Sequence, residues 1–258
     1  MKILFAILII AGIGLIAGGG LSLASIFMGV DADEKVQKIR EALPGANCGS
    51  CGFAGCDDYA AAIAAGKAES GLCGPGGQAT AAALSEILGT EVTVQEVRAF
   101  VACGGSCEKT QTKHLYSGIT SCAAAAMMYG GPSACKFGCL GFGDCAKVCE
   151  KNAISVVDGT AKINPELCGG CRKCAAVCPK QIIGFVPKGN TKKVLCSNTD
   201  KGAAVRKVCT AGCIGCKLCE KNCEAGAVKV ENNLAHIDPD MCTGCGKCAD
   251  ACPQKCIK

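Results

Sequence analysis

Tryptophan is absent from the sequence and aromatic residues make up only 4% of it, so one large aromatic-filled core is not expected. Histidine occurs twice, at His114 and His236, which leaves little room for His-based zinc sites or Ser-His catalysis. No acid–base constellation stands out, and no glycine-rich phosphate loop lies on a plausible strand–helix unit. A twin-arginine export signal is also missing. What the chain does have is cysteine, 26 in 258 residues. That density means either disulfides or metal. Several small modules held by something other than hydrophobic burial fit this composition, because small domains bury too little surface to be stable unaided.

Charge is uneven. Residues 1–134 hold 8 Lys and Arg against 11 Asp and Glu, whereas residues 135–258 hold 19 against 11. A basic half would ordinarily suggest nucleic acid or an anionic surface. An oxidised [4Fe-4S] cluster with four thiolates carries about −2, so about four of them would cancel that surplus. The basic half then reads as internal compensation, and nucleic acid is not expected as a partner.

From Ile3 to Val30 no residue is charged, a run long enough to cross about 30 Å of hydrocarbon as a helix. Asp31, Asp33 and Glu34 close it. A cleaved signal peptide competes with this reading, but the run exceeds a typical h-region and no clear A-x-A site follows. Gly14 and Gly18 form a small-xxx-small pair suited to close helix packing. Thiols that must capture iron should not first cross an oxidising compartment. The bulk of the chain is therefore expected in the cytoplasm, on a single-pass anchor in the cell membrane.

The spacing C-x2-C-x2-C-x3-C occurs three times, as Cys168/Cys171/Cys174/Cys178, Cys213/Cys216/Cys219/Cys223 and Cys242/Cys245/Cys248/Cys252. Three closely spaced thiolates can grip three irons of a cubane while the fourth reaches the neighbouring cluster. Zinc would use paired C-x2-C knuckles at longer separation. A fourth run, Cys139/Cys145/Cys149, has Phe142 where the middle thiolate should stand. Cys135, four residues earlier, is the expected substitute. The same offset recurs at Cys209 before Cys213, where no vacancy exists.

Residues 153–165 and 227–239 each read as a β-hairpin, with Asp158-Gly159 and Asn232-Asn233 at the turns. His236 aligns with Lys162 and reads as an exposed strand residue. The runs thus form a tandem duplication of a two-cluster unit, at residues 133–186 and 207–258. Residues 187–206 between them are basic, either a solvated linker or a docking patch for an acidic redox partner or anionic lipid.

Upstream, Cys48-x2-Cys51-x4-Cys56-x16-Cys73 is a different arrangement, crowded with glycine. Asp57 or Asp58 is expected to cap a short helix over Tyr59–Ala65, and a second helix is expected over Ala79–Leu88. This module spans residues 31–95, and a Cys-containing connector spans 96–132. Within the connector, Cys103, Cys107 and Cys122 either hold a sixth cluster with a ligand from elsewhere or stay as unliganded thiols. Cys196, Cys209 and Cys256 are likewise unassigned.

An apolar N-terminal helix over residues 1–30, the C-x2-C-x4-C-x16-C module and the ferredoxin repeats together resemble the B subunit of the Rnf (Rsx) electron-transport complex. The resemblance spans the whole chain, and the first cluster module is its more diagnostic part. It implies an α+β protein: a transmembrane helix, a small mainly helical [4Fe-4S] module and two ferredoxin-like double-cluster modules. It also implies a non-autonomous subunit of a translocase that moves electrons between soluble ferredoxin and NAD+ while passing Na+ or H+. Five [4Fe-4S] clusters are expected, with integral-membrane, flavin-bearing and NAD-binding subunits as partners. Glu150 and Glu224 depart from the proline usual after the fourth cysteine of a run, which points to an altered potential rather than a lost cluster. Two other classes share part of the pattern. A reductase that activates a corrinoid protein would carry a similar first module, and a cluster storage or assembly protein would carry the thiols.

Overall fold

The computed structural model describes residues 34–94, 96–189 and 192–258, together with Gly12, Gly14, Leu15, Gly18 and Gly19. The anchor expected over residues 1–30 falls almost wholly outside these. Among the described residues no helix is long and apolar enough to cross a membrane.

The first module is built on α1 (Glu34–Ala42), α2 (Cys56–Ala64) and α3 (Gly77–Leu88), with a 3-10 turn over Gly74–Gly76. Ile39 of α1 and Tyr59, Ala60 and Ile63 of α2 recur at helical spacing and bury one stripe of each helix against Leu84 of α3. Gly89 ends α3 in the left-handed conformation, and its N–H reaches the Ser85 carbonyl at 2.9 Å. The N-terminus of α2 differs from expectation. It starts at Cys56, preceded by Gly55, and Asn47 Oδ1 accepts the Cys56 N–H at 2.8 Å. Asp57 and Asp58 lie inside the first turn, where the helix dipole favours them without a capping bond.

Tyr59 shows how this module is locked. It is 1% exposed, donates its hydroxyl hydrogen to the Glu69 carbonyl at 2.8 Å and accepts the Leu72 N–H at 3.0 Å. Burial pushes its phenol up to about 12, so it stays neutral under ordinary conditions. Tyr59→Phe strands both backbone groups, for which a loss of about 1–3 kcal/mol is expected. Denaturant titration of the anaerobic protein, read at the transition of this module, checks that. An unchanged midpoint would show that water replaces the hydroxyl without cost.

In the second half of the chain, β2 (Ile154–Val157) and β3 (Thr160–Ile163) form one antiparallel hairpin, and β5 (Val228–Glu231) and β6 (Leu234–Ile237) form another. Both turn residues have positive φ in each, 50° and 73° at Asp158-Gly159 and 49° and 63° at Asn232-Asn233, as a type I′ turn requires. His236 is exposed opposite Lys229.

The segment read as a connector contributes a strand. β1 (Val97–Val101) pairs antiparallel with β4 (Ile183–Pro187), with Val101 opposite Ile183. The basic segment behaves likewise, since Val194 bridges Ile257 and Leu195 N–H bonds the Cys256 carbonyl at 2.7 Å. The bond from Ala102 N–H to the Ile182 carbonyl, also 2.7 Å, is its counterpart. The two repeats therefore match beyond their hairpins: Cys103 corresponds to Cys196, and Ile182 to Cys256. Residues 202–208 form a further helix, with Val205 fully buried, so much of the basic stretch is folded. Gln111 N–H to the Val208 carbonyl (3.1 Å) and Thr210 N–H to the Lys109 carbonyl (2.9 Å) tie the two halves together.

Candidate metal centre

Each of the four runs folds the same way, and glycine explains why. The second residue after the first cysteine is Gly141, Gly170, Gly215 or Gly244, all with φ between 65° and 77°. The fourth is Gly143, Arg172, Lys217 or Gly246, again at positive φ. A Cβ on Gly170 would sit 2.7 Å from the Val97 carbonyl oxygen, and on Gly215 2.9 Å from that of Asn233, so only glycine lets the loop pass. A four-residue helix follows in every run and carries the third cysteine inward. Cys145, Cys174, Cys219 and Cys248 are all buried. The degenerate run keeps this loop although Phe142 replaces its middle thiol.

The thiols fall into sets that cross between runs. Cys213, Cys216, Cys219 and Cys252 line one cleft, with Cys256 also at its border. Burial pushes Cys248 up and the charges of Cys242 and Cys223 add to it, which groups those three; Cys245, three residues from Cys242 and from Cys248, is exposed on the same loop. Burial takes Cys174 to about 11, with Cys171 and Cys168 contributing, and Cys149 and Cys168 border the same core. In the first module Cys73 is raised by burial and then by Cys56, Cys48 and Cys51.

The remaining cleft is lined by Cys122, Cys139, Cys145 and Cys178, with Leu140, Ala161, Ile182 and Ile183 around them. Cys122 therefore stands beside the other three thiols, and Cys135, the substitute expected from the sequence, is not among the residues lining this cleft. It opens the helix Cys122–Met127, whose N-cap is Ser121. Asp144 Oδ2 accepts from Ser121 Oγ at 2.7 Å and from Ala123 N–H at 3.1 Å, so the residue next to Cys145 also fixes Cys122. Phe142 packs edge-on to Tyr116 at 5.2 Å and borders the neighbouring cavity. Cys135 borders this neighbouring cavity with Cys103, Cys107, Cys139, Cys196 and Cys209. Cys107 is exposed, and Cys256 is buried 3.5 Å from Cys252.

These donors suit a cubane cluster. Four thiols surround the cleft of Cys122 and five the cleft of Cys213, whereas no three Cys, His, Asp or Glu side chains among the described residues converge closely enough for one metal ion. Backbone N–H groups point at sulfur: Ala161 at Cys139 (3.4 Å), Ala153 at Cys149 (3.3 Å) and Ala99 at Cys168 (3.4 Å). Such bonds stabilise charge on cluster sulfur and tune its potential. Burial keeps Cys145 and Cys174 protonated without metal, pushed up to about 12 and about 11, so loading their sets must release protons. Neither Asn47 nor Asp144 was read as part of a site from the sequence; their only signal is adjacency to Cys48 and Cys145.

The first module lies against the Cys168–Cys178 run. Cys48, Gly49 and Ser50 share a cleft with Val148, Arg172, Lys173 and Phe185, and the charges of Cys171 and Cys48 both act on Lys173.

Three family models match: a putative Fe-S cluster over residues 43–75, a 4Fe-4S dicluster domain over 134–182 and a 4Fe-4S binding domain over 235–258. Among curated proteins, the chain is 45% identical over 98% of its length to the B subunit of the Na(+)-translocating ferredoxin:NAD(+) oxidoreductase complex of Acetobacterium woodii, covering 78% of that protein. It is 40% identical to the B subunit of the ion-translocating oxidoreductase complex of Methanosarcina acetivorans, over 98% of this chain and 97% of that one. It is 41% identical to the B subunit of the proton-translocating ferredoxin:NAD(+) oxidoreductase complex of Clostridium ljungdahlii, over 99% and 92%.

Proposed function

The chain belongs to the family of B subunits of ion-translocating oxidoreductase complexes, and on that premise we propose that its thiol sets hold five [4Fe-4S] clusters that carry electrons between soluble ferredoxin and membrane partners. It is an iron–sulfur electron-transfer subunit and not an autonomous enzyme. The observation that supports the cluster reading is the crossing of thiols between runs, with Cys178 beside Cys122, Cys139 and Cys145, and Cys252 beside Cys213, Cys216 and Cys219.

When bound, the clusters supply one-electron redox chemistry. The chain's own part is to hold each set of thiolates on a glycine-shaped loop, shield it with apolar residues such as Ala161 and Ile182, and aim N–H groups at sulfur. NAD chemistry and ion passage belong to flavin-bearing, NAD-binding and integral-membrane subunits. The uncharged run Ile3–Val30 anchors the chain once in the cell membrane, with the cluster modules in the cytoplasm. The first module, which follows that run within about twenty residues, hands electrons to membrane partners.

Anaerobically purified, fully loaded chain is expected to hold at least about 20 irons, from five cubanes. Iron and acid-labile sulfide analysis decides it. Zinc in place of iron, or about eight irons or fewer, would overturn the proposal.

A further inference from the structure

Cys103, Cys135, Cys196 and Cys209 come from four separate segments, yet they border one cavity of about 280 Å³. Their closeness can be read from two glycines. A Cβ on Gly105 would meet Cys209 Sγ at 3.5 Å and Cys103 Sγ at 3.7 Å, and one on Gly138 would meet Cys135 Sγ at 3.6 Å and Cys103 Sγ at 3.7 Å. Asn198 joins the remaining side, with its N–H on Cys196 Sγ and its Nδ2 on Cys135 Sγ.

The arrangement has an internal two-fold logic. Cys135 and Cys209 each stand four residues before the first thiol of a run, Cys139 and Cys213. Cys103 and Cys196 each stand two residues after the residue, Val101 or Val194, that pairs with Ile183 or Ile257. The Cys139 N–H donates to Cys103 Sγ at 3.4 Å, and the Cys213 N–H donates to Cys196 Sγ at 3.2 Å. Each repeat thus supplies two thiols and one N–H.

A further donor links the repeats. Asn198 is 2% exposed; its backbone N–H reaches Cys196 Sγ at 3.4 Å and its side-chain Nδ2 reaches Cys135 Sγ at 3.5 Å. Thr110 Oγ1 lies 3.5 Å from Cys209 Sγ. Interiors normally close such gaps, and an unfilled cavity loses packing contacts in proportion to its size. A void lined by Cys103, Cys135, Cys196 and Cys209, with Cys139 and the exposed Cys107 also at its border and with donors aimed at the sulfurs, is what a cluster would occupy.

We propose that Cys103, Cys135, Cys196 and Cys209 hold a sixth [4Fe-4S] cluster, shared equally by the two ferredoxin modules and placed between their inner clusters. It rests on the reading that the regular runs hold clusters of the same kind. Its two flanking amides belong to Cys139 and Cys213, residues of the inner set on either side. The sets then form one file from Cys242 and its partners, through the shared site, to Cys48 in the first module. Each passage moves one electron and makes or breaks no bond. Cys107 and Cys256 stand outside the file. Cys256 takes the place that Ile182 fills in the other repeat, as a buried core residue.

The test is iron content of the full chain, purified and reconstituted without oxygen. About 24 irons are expected, against about 20 without the shared site. Cys196→Ser and Cys209→Ser should each lose about four irons, or yield a three-iron signal by electron paramagnetic resonance. The double variant should lose no more than either alone, because both act on one cluster. Cys107→Ser and Cys256→Ser should lose none. A wild-type count near 20, additive loss in the double variant, or zinc released by Cys196→Ser would overturn the shared site. The Cys216→Ser variant separates this from the underlying reading: if it keeps all its iron, the regular runs themselves are not ligands. The wild-type count stands even where a variant fails to fold.

Discussion

Cys122→Ala is expected to cost the chain one cluster, about four irons, or to convert that cluster to a three-iron form. A second change, Phe142→Cys, should restore it. Cys122 shares its cleft with Cys139, Cys145 and Cys178, and no other thiol borders that cleft. Phe142 sits at the middle position of a loop whose flanking residues, Gly141 and Gly143, both have φ of 77°. Gly215 and Lys217 flank Cys216 in the same conformation, at 65° and 61°. A thiol introduced at 142 would therefore stand where Cys216 stands relative to its own set. Cys135→Ala should also lose iron, but from the shared site, and Phe142→Cys should not repair that loss. Electron paramagnetic resonance and iron analysis of the four variants decide it. If Cys122→Ala keeps its full iron, or if Phe142→Cys rescues Cys135→Ala instead, the grouping of Cys122 with the degenerate run is wrong.

The spacing of the regular runs was legible in the sequence, because a cluster loop is a local object. So were both hairpins, where Asp-Gly and Asn-Asn supply the two positive-φ residues of the turn. What could not be read was pairing over distance. Cys122 lies 17 residues before Cys139 with no spacing rule to join them, and only the helix capped by Ser121 and Asp144 brings it in. β1 looked like part of a connector because its partner, β4, follows more than eighty residues later. The basic segment looked like a solvated linker for the same reason, since Val194 meets Ile257 near the far end of the chain. The recurring four-residue offset of Cys135 and Cys209 was visible, but its meaning required both repeats to face one cavity.

Neutralising Lys192, Lys193 and Lys258 together should slow reduction by an acidic ferredoxin about tenfold or more at low salt and flatten its dependence on ionic strength. A surface that takes electrons from a soluble protein must bring a cluster near solvent. Within the regular runs Cys216 and Cys245 are the exposed thiols, and both belong to the second ferredoxin pair. On the first pair the Cys168–Cys178 run is instead flanked by the first module. Lys192 lies beside the Cys245 loop, with its Cε 3.7 Å from where a Gly246 side chain would begin. Lys193 and Lys258 bond each other's backbone at 2.7 and 2.9 Å and border one depression with Lys109 and Lys162. Glu108 and Asp158 are the acids there, so positive charge prevails. Lys188 is less available, because it pairs with Glu96 at 3.0 Å. Such a field acts over about 8–10 Å at moderate salt, enough to orient a partner before contact. Stopped-flow reduction at several salt concentrations measures the effect, and a small uncharged donor serves as the control and should be unaffected. Arg206 and Lys207, on the helix Gly202–Val208, offer a second basic face. If the triple lysine variant keeps the wild-type rate and salt slope while Arg206→Gln/Lys207→Gln loses both, ferredoxin docks on that helix and not beside Cys245.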